Sequence, residues 1–425
     1  MKAEKVVIVG GGFGGLTVAR MLNGSDYHVL LIDRFNHHQF QPLLYQVALA
    51  GLEPSSVSFP LRALFQGSKN VRVRMAEVLE IRPLQRQIVT TDGIFDYDYL
   101  VLATGATTNF FGHQRLQQNA WSLKSTKDAI SLRQHLLLML EEADGAPESE
   151  LPGLLTIVVA GGGPTGVELA GALAELRKHV LWRDYPELQA SSMRIILVEA
   201  GDRLLAAMRD TSSEAARSYL TQMGVEVLTQ TRVMDYDGRF VELSNGNRIA
   251  SRTLIWTAGI VASVPEGIGS AVKVPGNRIC VDRYCRMIGE EHIFVIGDLA
   301  YLEAPDYPKG HPQMAPVAIA QARLVASNLL RHQKGKSPKP FVYKNKGVMA
   351  TIGKHKAVVD LPWFSLRGGL AWFIWMAVHL ISLMGMKNRL FVFINWVIAY
   401  FTNDSTLRLI FEPMSRNGNT AKNKK

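Results

Sequence analysis

Uniformly apolar runs, each stopped by glycine or an acid, alternate with stretches whose apolar positions recur at helical spacing. The first run, Val6-Val7-Ile8-Val9, is β-branched throughout and ends in glycines. Such a run predicts a strand covered on both faces. Leu16, Ala19, Met21 and Leu22 then follow helical spacing, and Val29 to Ile32 is a second buried strand ending at Asp33. The order recurs later: a strand at Thr156-Ile157-Val158-Val159-Ala160, a helix from Val167 to about Leu181, and a strand from Arg194 to Val198 ending at Glu199. Strands alternating with helices predict βαβ units and a parallel sheet. Further strands are expected over Val71 to Val78, Ile88 to Thr91 and Tyr97 to Ala103, with Asp92-Gly93 as a hairpin turn. Others are expected at Gly224 to Thr229, Phe240 to Leu243, Thr253 to Trp256 and His292 to Ile296, with paired strands around Gly353. Thr126 to Glu142 reads as a helix capped by Ser125 or Thr126, and Ala315 to Leu330 as another. Gly145 to Gly153 and Lys334 to Lys339 read as linkers.

What joins the first strand and helix is chemically specific. Gly10-Gly11-Gly12-Phe13-Gly14-Gly15 has the spacing G-x-G-x-x-G. Gly10 allows a tight turn, Gly12 lets backbone approach a pyrophosphate, and Gly15 lets helix and strand pack closely. Phosphates would sit on the helix N-terminus, where free N–H groups favour anions. Asp33 ends the second strand, where a carboxylate accepts from ribose hydroxyls. A glycine-rich turn in an ordinary α/β domain is the bland alternative, but it would not require that acid. The repeat, Gly161-Gly162-Gly163-Pro164-Thr165-Gly166 with Glu199, makes two dinucleotides the natural expectation. The simplest pair is a bound flavin dinucleotide and a mobile nicotinamide one. Leu100-Val101-Leu102-Ala103 ends in Ala103-Thr104-Gly105, matched after the second loop by Thr257-Ala258-Gly259. Asp298, after the strand at Ile293 to Ile296, would reach a ribityl hydroxyl. The following helix N-terminus at Ala315 could face a flavin pyrimidine. In the loop Asn36 to Gln46, His37 and His38 read as exposed loop histidines, because no third ligand has metal-site spacing.

Composition adds limits. The chain has 425 residues, enough for two or three domains, with 47% hydrophobic and 20% charged residues. Its net charge is +10, and the tail Ser415 to Lys425 has Arg416, Lys422, Lys424 and Lys425 without an acid. That tail suits an anionic lipid surface or a solvated end; nucleic acid is disfavoured, since no basic helix with interleaved aromatics occurs. Cys280 and Cys285 are the only cysteines, which excludes a disulfide framework and points to a reducing compartment. The first strand begins almost at Met1, so no signal peptide is expected. Gly368 to Met386 carries no formal charge, and Leu390 to Phe401 is a second apolar run. His379, Ser382 and Gly385 would form a narrow polar stripe, with Trp363, Trp372, Trp375 and Trp396 as interfacial anchors. Helices lying in one leaflet are expected, with a spanning helix near 368–386 as the alternative. Core or dimer-interface helices of a soluble protein would account for the apolar faces alone.

These residues resemble the type II NADH:quinone oxidoreductases, single-subunit, non-pumping respiratory dehydrogenases among flavoproteins with two dinucleotide-binding domains. The generic part is the two glycine loops with Ala103-Thr104-Gly105 and Gly297-Asp298. More specific are Phe40-Gln41-Pro42-Leu43-Leu44-Tyr45-Gln46 and Gly163 to Gly171, and most specific the series Trp375, His379, Leu383, Gly385, Asn388-Arg389, Trp396 and Tyr400. The resemblance spans essentially the whole chain. It implies an α/β, glutathione-reductase-like flavoprotein fold with two Rossmann-like domains and C-terminal membrane-associating helices. The implied order is an FAD-binding domain at 1–120, an NADH-binding domain at 121–287, the rest of the FAD-binding domain at 288–365, and a membrane-anchoring region with its basic tail at 366–425. FAD would be held by Gly10, Gly12, Phe13, Gly14, Gly15, Asp33, Gln41, Val78, Ala103, Thr104, Gly105, Asp298 and Ala315. NADH would be held by Gly161, Gly163, Pro164, Thr165, Gly166, Glu199, Ala258 and Gly259, with Glu199 disfavouring a 2′-phosphate. A membrane quinone would meet Gln41, Pro42, Pro316 and Ala320, with Glu168 as the catalytic carboxylate. Alternatively, Glu168 serves only the helix dipole. Relatives often carry glutamines where Pro316 and Ala320 stand here, with Gln321 one place on; the quinone would lose those amide donors. No metal is expected. A homodimer on the cytoplasmic face of a bacterial inner membrane, peripheral or monotopic, is implied. Two alternatives stand beside it: a disulfide or sulfide:quinone reductase, disfavoured by the cysteine-free stretch Met1 to Ile279, and a non-respiratory redox-sensing flavoprotein.

Overall fold

The computed structural model describes residues 3–189, 192–268, 273–274, 276–402 and 407–410. Two compact units divide it: Met1–Gln39, Ser58–Thr107 and Ile260–Asn345 form one, and Phe40–Val57, Thr108–Gly259 and Lys346–Lys425 the other.

The first unit is built on a five-stranded sheet in the order Ile293–Val295, Tyr99–Leu102, Lys5–Val9, His28–Asp33, Val71–Met75. Every neighbouring pair is parallel. Val6, Ile8, Leu31, Leu100 and Val295 are buried, as expected for strands covered on both faces. The chain leaves Lys5–Val9 toward one side first and the other later, so the loop after it lies at the topological switch point, where such sheets bind ligands. The helices Phe13–Met21 and Ala315–Gln333 pack against each other. The expected strand Val71 to Val78 is two strands, Val71–Met75 and Val78–Arg82; the second joins an antiparallel sheet with Gln87–Thr90 and Gly93–Asp96.

The second unit repeats the plan with four parallel strands in the order Glu226–Leu228, Arg194–Val198, Thr156–Ala160, Thr253–Trp256. Val158, Ile196, Leu254 and Trp256 belong to its core. Ser125, not Thr126, caps the helix Thr126–Asp144, in a reciprocal capping box with Asp128. The helix after the second glycine loop runs Pro164–Leu176 and then widens into a π-helical turn at Arg177–Leu181. An antiparallel sheet of Val348–Thr351, Ala357–Asp360 and Ser365–Arg367 precedes two helices, Gly369–Ser382 and Met386–Thr402.

The C-terminal expectations need correction. The 368–386 run is not one helix: Leu383 turns extended after Ser382, and a second helix starts at Met386. Among the described residues no helix is long and apolar enough to cross a membrane, so the spanning alternative fails. Gly385 lies outside both helices, so it cannot continue a stripe from His379 and Ser382. Trp363 is exposed, as an anchor would be, but Trp375 is buried and Trp396 partly so. Both of the latter spend their indole N–H groups inside this unit. What faces outward is aliphatic and phenyl: Leu370, Phe373, Ile381, Met386, Leu390 and Phe401 are exposed. The basic tail Ser415 to Lys425 lies outside the described residues.

Candidate active site

The two glycine loops fold alike. Gly10 and Gly161 have φ of +104° and +109°, a region that favours glycine. A side chain on Gly10 would collide with the Ala103 carbonyl, and one on Gly161 would come within 2.8 Å of the Ala258 backbone. Ala103-Thr104 and Thr257-Ala258 therefore lie against their loops, as their positions predict. A Cβ on Gly15 or Gly166 would strike the carbonyl oxygen of Gly10 or Gly161, so helix and strand pack with no room between them. Gly12 and Gly163 instead face open space and begin their helices as side-chain-free N-caps. Pro164 and Thr165 are exposed beside Gly163, and Pro164 opens its helix, where its missing N–H costs nothing. Close packing on one side and open backbone on the other is a cradle that fits a pyrophosphate at each loop.

Each acid closes its own loop. Asp33 accepts the Gly11 N–H at 2.6 Å and the Phe35 N–H at 2.7 Å. Glu199 accepts the Gly162 N–H at 2.5 Å and the Gly201 N–H at 2.6 Å. Every carboxylate oxygen keeps a second lone pair for a hydroxyl. In the first unit the Thr104 hydroxyl donates to Ser263 at 2.6 Å. The Gln313 amide donates to the Asp298 carbonyl at 2.8 Å. Gly297 donates its N–H to the buried Gln321 side chain at 2.7 Å. Gln321 thus tethers the Gly297-Asp298 turn and is committed inside the protein. Ala315 and Pro316 open their helix after Met314, and Ala320 is half-buried.

Glu168 is not at the helix start. It lies in the second turn of Pro164–Leu176, buried, so a helix-dipole role loses its geometric basis. Its Oε1 accepts the Trp375 indole N–H at 3.1 Å and the Thr351 N–H at 3.3 Å. Burial pushes the carboxyl from an ordinary 4.5 up to about 8, outweighing the lowering effect of those two bonds. Trp375 stacks on His379, with ring centroids 4.1 Å apart. His379 Nδ1 is 2.7 Å from the Trp375 carbonyl, which can only accept, so that nitrogen carries the proton. Phe40 meets His379 edge to face, and Tyr45 lies near Trp375. The Gln46 side chain links Tyr45 to Trp396, donating to the Tyr45 hydroxyl at 2.9 Å and accepting the Trp396 N–H at 2.8 Å. The run Phe40 to Gln46 and the C-terminal series, separated by over three hundred residues in sequence, are one cluster within the second unit. Thr351 carried no signal in sequence, because it contributes only backbone.

Of the residues expected to meet quinone, Gln41 and Pro42 fall in the second unit and Pro316 and Ala320 in the first. Gln41 donates its side-chain amide to the Lys124 carbonyl at 3.3 Å and opens a short 3₁₀ turn, Gln41–Leu43, in which Pro42 is the second residue. Val78 starts a strand, and Phe13 starts the helix after Gly12. The histidines differ from expectation: His38 is buried, not exposed, because its ring packs under the first glycine loop. Among the described residues no His, Cys, Asp and Glu group could hold a metal.

A family model described as pyridine nucleotide-disulphide oxidoreductase matches residues 4–322. A second, described as NDH2 C-terminal domain, matches 345–403. The type II NADH:quinone oxidoreductase Ndh of Mycobacterium tuberculosis is 34% identical over 418 residues, covering 94% of this chain and 89% of the relative. A structure of NDH2 from Plasmodium falciparum in complex with NADH has the same fold, with TM-score 0.87 at 23% identity, over 97% of this chain and all of that one. The sulfide:quinone oxidoreductase of Aquifex aeolicus shares the fold more distantly, with TM-score 0.72 at 19% identity over 94% of this chain and 95% of that one. The chain belongs to the type II NADH:quinone oxidoreductases.

Proposed function

We propose that this protein oxidises NADH and reduces a membrane quinone through bound FAD, without pumping protons. The observation that carries the reading is the pair of matching cradles, each closed by its own carboxylate, in a chain that also holds the buried Glu168 cluster. FAD fits the first, where Gly12 leaves the space open and Asp33 can take hydroxyls. NADH fits the second, where Glu199 would repel a 2′-phosphate. When bound, the flavin supplies a two-electron relay between nicotinamide and quinone. The net reaction is NADH, a proton and quinone giving NAD⁺ and quinol. The chain must supply that proton's path, and Glu168, neutral at pH 7, is the side chain suited to it. Trp375 and Thr351 fix its Oε1, so the acid is aimed rather than free to rotate.

The outward apolar residues of the two C-terminal helices suit insertion into one leaflet, with the basic tail on anionic lipid. We place the protein on the cytoplasmic face of the membrane, as a homodimer, from the resemblance alone. A disulfide or sulfide reductase is disfavoured by its cysteines: Cys285 is buried and its thiol pushed well up by desolvation, so no reactive thiolate forms there. Purified protein should release FAD on denaturation and oxidise NADH with a soluble quinone. Flavin without quinone turnover would replace this reading with that of a redox sensor, and absence of flavin would overturn it.

A further inference from the structure

The Gly11–Gly12 peptide is the one that must aim a backbone N–H at the open side of the first loop. Because a peptide is planar and trans, fixing the Gly11 carbonyl fixes the Gly12 N–H in the opposite direction. The Gly11 carbonyl is held by a side chain: His38 Nδ1 lies 3.0 Å from it. A carbonyl only accepts, so Nδ1 carries the proton and the imidazole is the donor. The same ring is buried and packs edge to face on Phe13, with centroids 5.2 Å apart. His38 thus contacts the residues on either side of Gly12, where an added Cβ would meet nothing within 4 Å. Its strand, His37–Gln39, is pinned to Ser58–Pro60, so the ring is delivered by a fixed element of the same unit.

The second loop solves the same problem without a side chain. The Gly162 carbonyl accepts the backbone N–H of Leu205 at 2.8 Å, and Leu205 has a φ of +51°. Asp33 and Glu199 hold the N–H of Gly11 and Gly162 alike. The two loops therefore share one half of the clamp and differ in the other.

We propose that His38 is a positioning residue of the flavin loop, holding the Gly11 carbonyl so that the Gly12 N–H is presented to the dinucleotide's pyrophosphate. The proposal rests on the assignment of FAD to the first loop. It predicts that the flavin mount can be loosened at one side chain, whereas the nicotinamide mount has no equivalent point of attack.

The test compares His38→Asn, whose amide N–H₂ sits close to the position of Nδ1, with His38→Leu, which has no donor. FAD is removed from each protein, and the dissociation constant is read from flavin fluorescence as FAD is added back. Loss of a donor to a buried carbonyl should weaken binding about tenfold in the leucine variant, with affinity recovered in the asparagine variant. Equal affinity in wild type and His38→Leu overturns the proposal. Asparagine binding as weakly as leucine also overturns it, since packing rather than the donor would then be what matters. Should the leucine variant not fold, His38→Gln, whose amide falls nearer Nε2, replaces it in the same comparison. Wild-type protein that binds no FAD would instead overturn the flavin assignment itself.

Discussion

Replacing Glu168 by glutamine tests whether its carboxyl is neutral in the folded protein. The amide keeps an oxygen to accept from Trp375 and Thr351 but cannot ionise. In the wild type, folded and unfolded chains are both protonated at this group below pH 4.5. As pH rises the unfolded carboxyl ionises first, while the buried one holds its proton until about pH 8. The unfolded chain then binds fewer protons, so wild-type stability falls across that window and levels off above it. The interval from 4.5 to about 8, at about 1.36 kcal/mol per pH unit, sets a ceiling of about 5 kcal/mol. Urea unfolding of wild type and Glu168→Gln from pH 4 to 9 isolates this group, because every other titration is common to both. The difference between variant and wild type should shift in the variant's favour by several kcal/mol between pH 4 and pH 9. Parallel profiles would refute the neutral carboxyl. Quinone reduction should slow in the same variant while NADH still reduces the flavin; unchanged turnover would remove Glu168 from proton delivery.

The first loop offers a paired substitution: Gly12→Ala should leave folding intact but lower FAD content, since its Cβ enters open space, whereas Gly15→Ala should destabilise by about 1–3 kcal/mol or more by striking the Gly10 carbonyl; equal thermal shifts in the two would contradict the cradle. The ratio of kcat/KM for NADH and NADPH should favour NADH, and a preference for NADPH would overturn the role of Glu199. Phe373→Ser with Ile381→Ser should reduce co-sedimentation with anionic vesicles without changing NADH oxidation by a water-soluble acceptor. Those residues are exposed, so undiminished binding would move the lipid contact elsewhere. Alkylating the cysteines should leave turnover intact, since Cys285 is buried and Cys280 makes no part of either cradle.

The sheets were legible because buried parallel strands write themselves as continuous apolar runs, and Val6 to Val9 and Thr156 to Ala160 do so without a polar interruption. The glycine loops were legible because their spacing is dictated by close approach, which only glycine permits. Two things were not. A tryptophan-rich apolar stretch reads the same whether its indoles face lipid or a buried carboxylate, and Trp375 takes the second course. A histidine in a polar loop gives no sign that its strand will fold under the neighbouring glycines, as that of His38 does. The stop at Ser382 did have a sequence signal, Gly385, which takes a φ of +81° just past the helix end, but the uninterrupted apolar composition of 368–386 outweighed it.

The bond from Trp375 to Glu168 also makes the helix Gly369–Ser382 part of the second unit rather than a detachable anchor. Whatever holds that helix in place then bears on the acid, and by reciprocity the acid's charge bears on the helix. Trp375 donates to the oxygen that would carry the charge, so ionising Glu168 would strengthen that bond while leaving a charge buried away from water. The seating of the helix Gly369–Ser382 should therefore change above about pH 8, and under the proposed one-leaflet attachment vesicle binding should change with it.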